Sequence, residues 1–186
     1  VSGHDHLFQT AVAALLRREG GFVDDPSDPG GATKWGVSLR WLLSLEPKLR
    51  AELGDVDGDG DVDAEDVRRM PRERAAEIYR REWWDRYDYG TLGGSLLPAK
   101  MLDLAVNMGP KAAHRCLQRA VRAAGGPRLV EDGVLGPVTR SAVAEMPEAM
   151  LLAALKSEAA GFYREIIARR PAFERFRKGW LERAYS

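Results

Sequence analysis

Two stretches of this 186-residue chain carry side chains whose types and spacing could do chemistry. The first holds Glu19, Asp28 and Thr33. Glu19 closes an apolar helical stripe of Leu7, Phe8, Ala11, Val12, Leu15 and Leu16, and it lies four residues beyond Leu15, on the same face. Gly20-Gly21 then stops the helix. Asp25-Pro26 and Asp28-Pro29-Gly30-Gly31 are turn formers that fold the chain back. A helix-end Glu, a turn Asp and a Thr could therefore line one cleft. A carboxylic acid placed this way suits general-acid chemistry, in which a proton is delivered to a poor leaving group. The same residues, taken alone, also describe a surface Glu followed by an ordinary loop.

The second stretch is Asp55-Val-Asp57-Gly-Asp59-Gly60-Asp61-Val62-Asp63-Ala-Glu-Asp66. It follows the EF-hand calcium loop. Asp55, Asp57 and Asp59 take positions 1, 3 and 5, and Gly60 makes the sharp turn. Asp61 offers its backbone carbonyl, and Asp63 acts through a water. Asp66 stands where a bidentate Glu is usual, and its shorter side chain reaches less far. Carboxylates crowded this closely repel one another without a cation. The pattern predicts one structural calcium ion held by Asp55, Asp57, Asp59, Asp61, Asp63 and Asp66. Such a cage leaves little room for a substrate at the ion.

The elements that position these groups read as helices. Ser38 is an N-cap for a helix through Leu39, Leu42 and Leu45, and Pro47 restarts it. Pro71 begins a helix to about Arg86, which carries Tyr79, Trp83 and Trp84. Thr91 to Ser95 is a Gly-rich hinge and the best domain boundary. Pro98 opens a helix that ends at Asn107, and a further helix covers Lys111 to Ala124. Asp132-Gly133 marks a tight turn. A long helix runs from Pro147 to about Arg169, with Leu151, Leu155, Ala159, Phe162 and Ile166 on one stripe. Pro171 begins the last. Strand alternation is nearly absent, so the fold is expected to be mostly α, with at most a small β-hairpin after Glu19.

The net charge of zero hides an asymmetry. Residues 1–90 carry 13 basic and 19 acidic side chains, whereas residues 91–186 carry 15 and 9. A basic half favours an anionic polymer. No nucleic-acid reader motif is present, and no apolar run reaches the roughly 18 residues of a membrane span. A single cysteine, Cys116, rules out an internal disulfide. No cleavable leader is visible.

Glu19-Gly20-Gly21, Asp28-Pro29-Gly30-Gly31-Ala32-Thr33 and Trp35-Gly36-Val37 together resemble the signature of glycoside hydrolase family 108. The likeness continues through Ile78 to Trp84, Leu102 to Gly109, Asp132 to Thr139 and Gly179 to Arg183. The resemblance implies a lysozyme-like helical fold and a bacterial or phage N-acetylmuramidase. Residues 1–90 would be the muramidase segment, with the calcium loop at 55–66. Residues 91–186 would be a helical peptidoglycan-binding segment, packed with the first into one compact unit. Glu19 would be the acid, Asp28 and Thr33 would hold the attacking water or steady the developing positive charge, and Trp35 and Asn107 would touch substrate. Peptidoglycan is the implied partner of a monomer working in the periplasm or at the cell wall. Two rivals stand beside this reading: a lytic transglycosylase, and a non-catalytic, calcium-dependent wall-binding protein.

Overall fold

The computed structural model describes residues 3–24 and 31–186. It is helical, with one two-stranded sheet among the described residues. The chain divides into two compact units, Gln9–Glu82 and Val1–Phe8 with Trp83–Ser186.

Within Gln9–Glu82, helix α1 (Gly3–Arg18) buries Ala11, Val12, Leu15 and Leu16, as its apolar periodicity demands. Strands β1 (Thr33–Lys34) and β2 (Val37–Ser38) form an antiparallel hairpin that pairs Thr33 with Ser38 and Lys34 with Val37. Ser38 caps α2 (Leu39–Leu43), its hydroxyl accepting the Trp41 N–H at 3.2 Å. Helix α3 (Pro47–Gly54) leads into the acidic loop, and α4 (Ala64–Arg69) leaves it. Helix α5 (Arg72–Tyr79) follows. Leu42, Leu53, Val67, Met70, Ala75 and Ile78 close this core without solvent exposure.

The helix expected from Pro71 to Arg86 changes character part-way. Beyond α5 the chain widens into a π-helical stretch, Arg80–Asp85. Such a turn shifts the helical register, and here Trp84 is buried beside Phe8, with ring centroids 5.5 Å apart.

In the other unit, α6 (Leu97–Met108), α7 (Pro110–Ala123), α8 (Pro137–Ala144), α9 (Glu148–Arg169) and α10 (Arg177–Tyr185) pack around Met101, Leu102, Leu117, Val121 and Leu155. The buried stripe of α9 departs from the expected one. Leu151, Leu155 and Ala159 are buried as expected, but Tyr163 and Ile167 continue the row in place of Phe162 and Ile166. A strict four-residue row drifts around a 3.6-residue helix, and α9 follows that row as it packs on α7 and α10. Pro171 begins a 3₁₀ segment, Pro171–Phe176, rather than the final α-helix. The Phe173 N–H bonds the Arg170 carbonyl at 2.9 Å, an i−3 bond that a 3₁₀ turn supplies.

The Asp132-Gly133 turn is stapled by two buried side chains of α7. Gln118 receives the Gly133 N–H on its carbonyl at 2.9 Å and donates to Asp132 Oδ1 at 2.8 Å. These bonds, Gln118 first and the Val134 N–H next, hold the Asp132 carboxyl below its usual range. His114 Nδ1 lies 2.9 Å from the Gly133 carbonyl, which can only accept, so Nδ1 carries the proton. Nε2 then accepts from the Tyr89 hydroxyl at 2.9 Å. Burial pushes His114 below the ordinary histidine range. No helix among the described residues is long and apolar enough to cross a membrane.

Candidate active site and acidic loop

Glu19 follows the last residue of α1, and its N–H still bonds the Leu15 carbonyl at 3.1 Å. The segment after it runs beside the hairpin, where Val23 and Thr33 exchange two backbone bonds of 2.8 Å. The hairpin turn is only two residues long, Trp35-Gly36, with φ of 54° and 77°. A two-residue hairpin of this type needs positive φ at both places, which glycine tolerates and tryptophan does not. Trp35 is held there at three points. Its N–H donates to the Gly20 carbonyl at 3.2 Å, and its indole Nε1 donates to the Met70 carbonyl at 3.2 Å. The hydroxyl of the buried Tyr79 donates to the Trp35 carbonyl at 2.9 Å.

This strained turn forms a seat for Glu19. A Cβ on Gly36 would fall 2.5 Å from the Tyr79 hydroxyl, 2.9 Å from Glu19 Cγ and 2.9 Å from Glu19 Oε2. The carboxylate thus packs directly on the turn backbone, and only glycine leaves it room. Local strain fixed by surrounding contacts is characteristic of functional sites. Glu19 itself is half-buried, packed against the turn backbone. Such an acid can keep its orientation and still meet a substrate.

Thr33 lies on β1, and its hydroxyl donates to the Gly31 carbonyl at 3.2 Å. Asp28 lies outside the described residues. Trp35 is half-buried and spends its indole N–H on the Met70 carbonyl. Asn107 belongs to the other unit, at the end of α6, where its Oδ1 accepts the Tyr163 hydroxyl at 2.7 Å. Tyr79 and the Met70 carbonyl escape a reading of residue types, because their part is to brace backbone. A positive-φ Trp-Gly pair between short extended segments is the one signal that points to them.

The acidic loop lies close behind the hairpin in sequence and space. Its exit helix α4 braces the site from the rear: Lys34 Nζ donates to the Arg68 carbonyl at 2.6 Å, and the Arg68 guanidinium sits 4.7 Å over the Phe22 ring. In the loop, Gly60 has a φ of 97°, and Asp55 accepts the Gly58 and Gly60 N–H groups at 2.7 and 3.2 Å. Carboxylate oxygens of Asp55, Asp57 and Asp59 lie within 4.8 Å of one another, and so do those of Asp61, Asp63 and Asp66. The two trios differ in what else they do. Asp63 caps α4, accepting the Glu65 N–H at 2.6 Å, and Asp66 completes a reciprocal capping box. Asp66 Oδ1 also accepts the Val56 and Asp57 N–H groups at 2.6 and 3.2 Å, and Oδ2 accepts that of Asp63 at 2.8 Å. By contrast, Asp57 Oδ1 is buried with no hydrogen-bond partner. Burial, then Asp59 and Asp66, pushes the Asp57 carboxyl up, and Asp59 foremost does the same to Asp61. Among the described residues, the only cation paired with the first trio is Arg69, 3.4 Å from Asp57 and itself more than half exposed. The donor set is all oxygen, so the cluster could bind a hard metal ion.

Comparison with known proteins brings these features under one heading. The family described as Glycosyl hydrolase 108 matches residues 12–109, which include Glu19, the hairpin and the acidic loop. The chain belongs to glycosyl hydrolase family 108. A second family, described as Predicted Peptidoglycan domain, matches residues 112–185. Among solved structures the chain is similar to SagA of Brucella abortus, at 29% identity and a TM-score of 0.72, over 97% of this chain and 90% of that one. No curated protein matches significantly. This member of glycosyl hydrolase family 108 is a peptidoglycan hydrolase, and peptidoglycan is its partner. The mostly α fold, with one small hairpin among the described residues, agrees with the expectation from sequence.

Proposed function

We propose that Glu19 is the general acid that protonates the glycosidic oxygen when the glycan strand is cut between N-acetylmuramic acid and N-acetylglucosamine. The observation that carries this reading is the seat of the Glu19 carboxylate on the strained, triply held Trp35-Gly36 turn. Protonating a sugar leaving group requires an acid in fixed orientation. Asp28 and Thr33 hold the attacking water or steady the oxocarbenium-like charge, and Trp35 and Asn107 contact the sugar chain. Residues 1–90 supply the cutting segment and residues 91–186 the wall-holding one. Calcium would be the ion of the acidic loop, held by Asp55, Asp57, Asp59, Asp61, Asp63 and Asp66. Bound there, it would neutralise the crowded carboxylates and so steady α4 against the hairpin. The place of work is the periplasm or the cell wall, where peptidoglycan lies.

Glu19→Gln keeps the shape and removes the proton. Turnover on purified sacculi should fall by about 10²–10⁴-fold while the melting temperature holds. Near wild-type activity in this variant would show that another group is the acid. Mass spectra of the released muropeptides then report the reaction type: reducing-end muramic acid for hydrolysis, and 1,6-anhydro ends for transglycosylation.

A further inference from the structure

A groove of about 500 Å³ lies between the start of α7 and the second half of α9, and none of its lining residues is assigned above to catalysis or to the ion. Its floor is apolar, made by Met108, Pro110 and Phe162. Its walls are cationic. Lys111, Arg115, Arg119 and Arg169 line it against one acid, Glu165. Two of the four cations are already satisfied, because Arg119 pairs with Glu131 at 2.7 Å and Arg169 with Glu165 at 2.5 Å.

Lys111 and Arg115 are different. Neither makes a direct ion pair with a carboxylate among the described residues, Arg115 acting on Asp132 only as the weakest of several influences, and both are exposed. Arg115 spends only its Nε, on the Glu131 carbonyl at 3.0 Å. Its two terminal amino groups are left as a planar fork suited to a carboxylate. The two residues are four apart on α7, so they share one face, with Cβ atoms about 5–6 Å apart.

We propose that this groove is a subsite for the peptide stem of peptidoglycan, binding its free carboxylates through Lys111 and Arg115 and its alanine methyl groups on the Met108–Pro110–Phe162 floor. The proposal rests on the chain being a peptidoglycan hydrolase, and it does not depend on which residue is the acid. Charge complementarity selects the occupant. The N-acetylated glycan is neutral apart from its stems, so it offers nothing to two unpaired cations. A phosphate polymer would satisfy the cations and leave the apolar floor without a partner. The stem carries carboxylates and short aliphatic groups together. Its binding gives the basic half of the chain a chemical reason.

The free stem tetrapeptide contains no glycosidic bond, so the wild-type, full-length protein can be titrated with it without turnover. The expected result in an NMR titration is saturable shifts at Lys111 to Cys116 and at Phe162. The same peptide with its carboxylates amidated should bind about tenfold more weakly or worse, as should Lys111→Glu with Arg115→Glu toward the free peptide. The amidated-peptide arm needs no variant and holds even if the double substitution fails to fold. The proposal is overturned by absence of saturable binding, by equal binding of the amidated peptide, by shifts confined to other surfaces, or by equal occupancy of the groove by a peptide-free N-acetylglucosamine oligomer or by inorganic phosphate. Failure of Glu19→Gln to lose activity would bear on the acid and leave this titration unaffected.

Discussion

Replacing Gly36 by alanine tests the seat of Glu19 directly. Two costs are legible in the structure. The φ of 77° places a Cβ in the left-handed region, at about 1–2 kcal/mol for an L-residue. The added methyl would also meet the Tyr79 hydroxyl at 2.5 Å and Glu19 Oε2 at 2.9 Å, and overpacking of this kind costs about 1–3 kcal/mol. Together they predict a loss of about 2–5 kcal/mol, and each kcal/mol lowers the melting temperature of a chain this size by about 2–4 °C. Activity should fall further than stability explains. The softer neighbour is the Glu19 side chain, and displacing a catalytic group by about 1 Å can cost about 10²-fold. The assay is a thermal melt together with sacculus hydrolysis measured well below the melting point. Gly179→Ala is the control, since a Cβ at this glycine of α10 meets nothing within 4 Å; it should leave activity intact and stabilise by up to about 1 kcal/mol. Adding Tyr79→Phe to Gly36→Ala removes the nearest clash and should recover part of the stability, while the φ cost remains. Wild-type melting and turnover in Gly36→Ala would refute the geometry described for this turn.

Two further perturbations address the loop and the buried histidine. Calcium should raise the melting temperature over that in chelator, and chelator should also reduce activity, because α4 braces the hairpin through Lys34, Trp35 and Phe22. Asp55→Ala with Asp57→Ala should abolish both differences, and identical melts with no heat of calcium binding would end the assignment. His114 has a folded pKa below the ordinary histidine value of 6.5, so its neutral form is the one the fold prefers. Its contribution to stability is fully present above pH 6.5 and is lost as the pH falls from there toward the folded pKa. The wild type should therefore lose more melting temperature between about pH 7.5 and pH 5 than His114→Gln does; parallel slopes would contradict the buried neutral imidazole.

Much of this protein was determined by local sequence. The apolar stripe ending at Glu19, the proline and serine helix starts at Ser38, Pro47 and Pro137, and the Asp-Gly periodicity of residues 55–66 all express preferences that act within a few residues. Helical periodicity likewise set the first part of the buried stripe of α9. Tertiary structure decided what depends on groups distant in the chain. Trp35 adopts a left-handed conformation only because Gly20, Met70 and Tyr79 reach it from 15, 35 and 44 residues away. Asp66 reads as a metal ligand by position, yet its carboxylate also closes the loop on three backbone N–H groups. Lys111 and Arg115 look like any solvated pair until α9 brings Phe162 into the same groove. Local propensity chooses elements, but desolvation and contact across the fold choose which side chains are held, which are satisfied, and which are left with bonding capacity to offer a substrate.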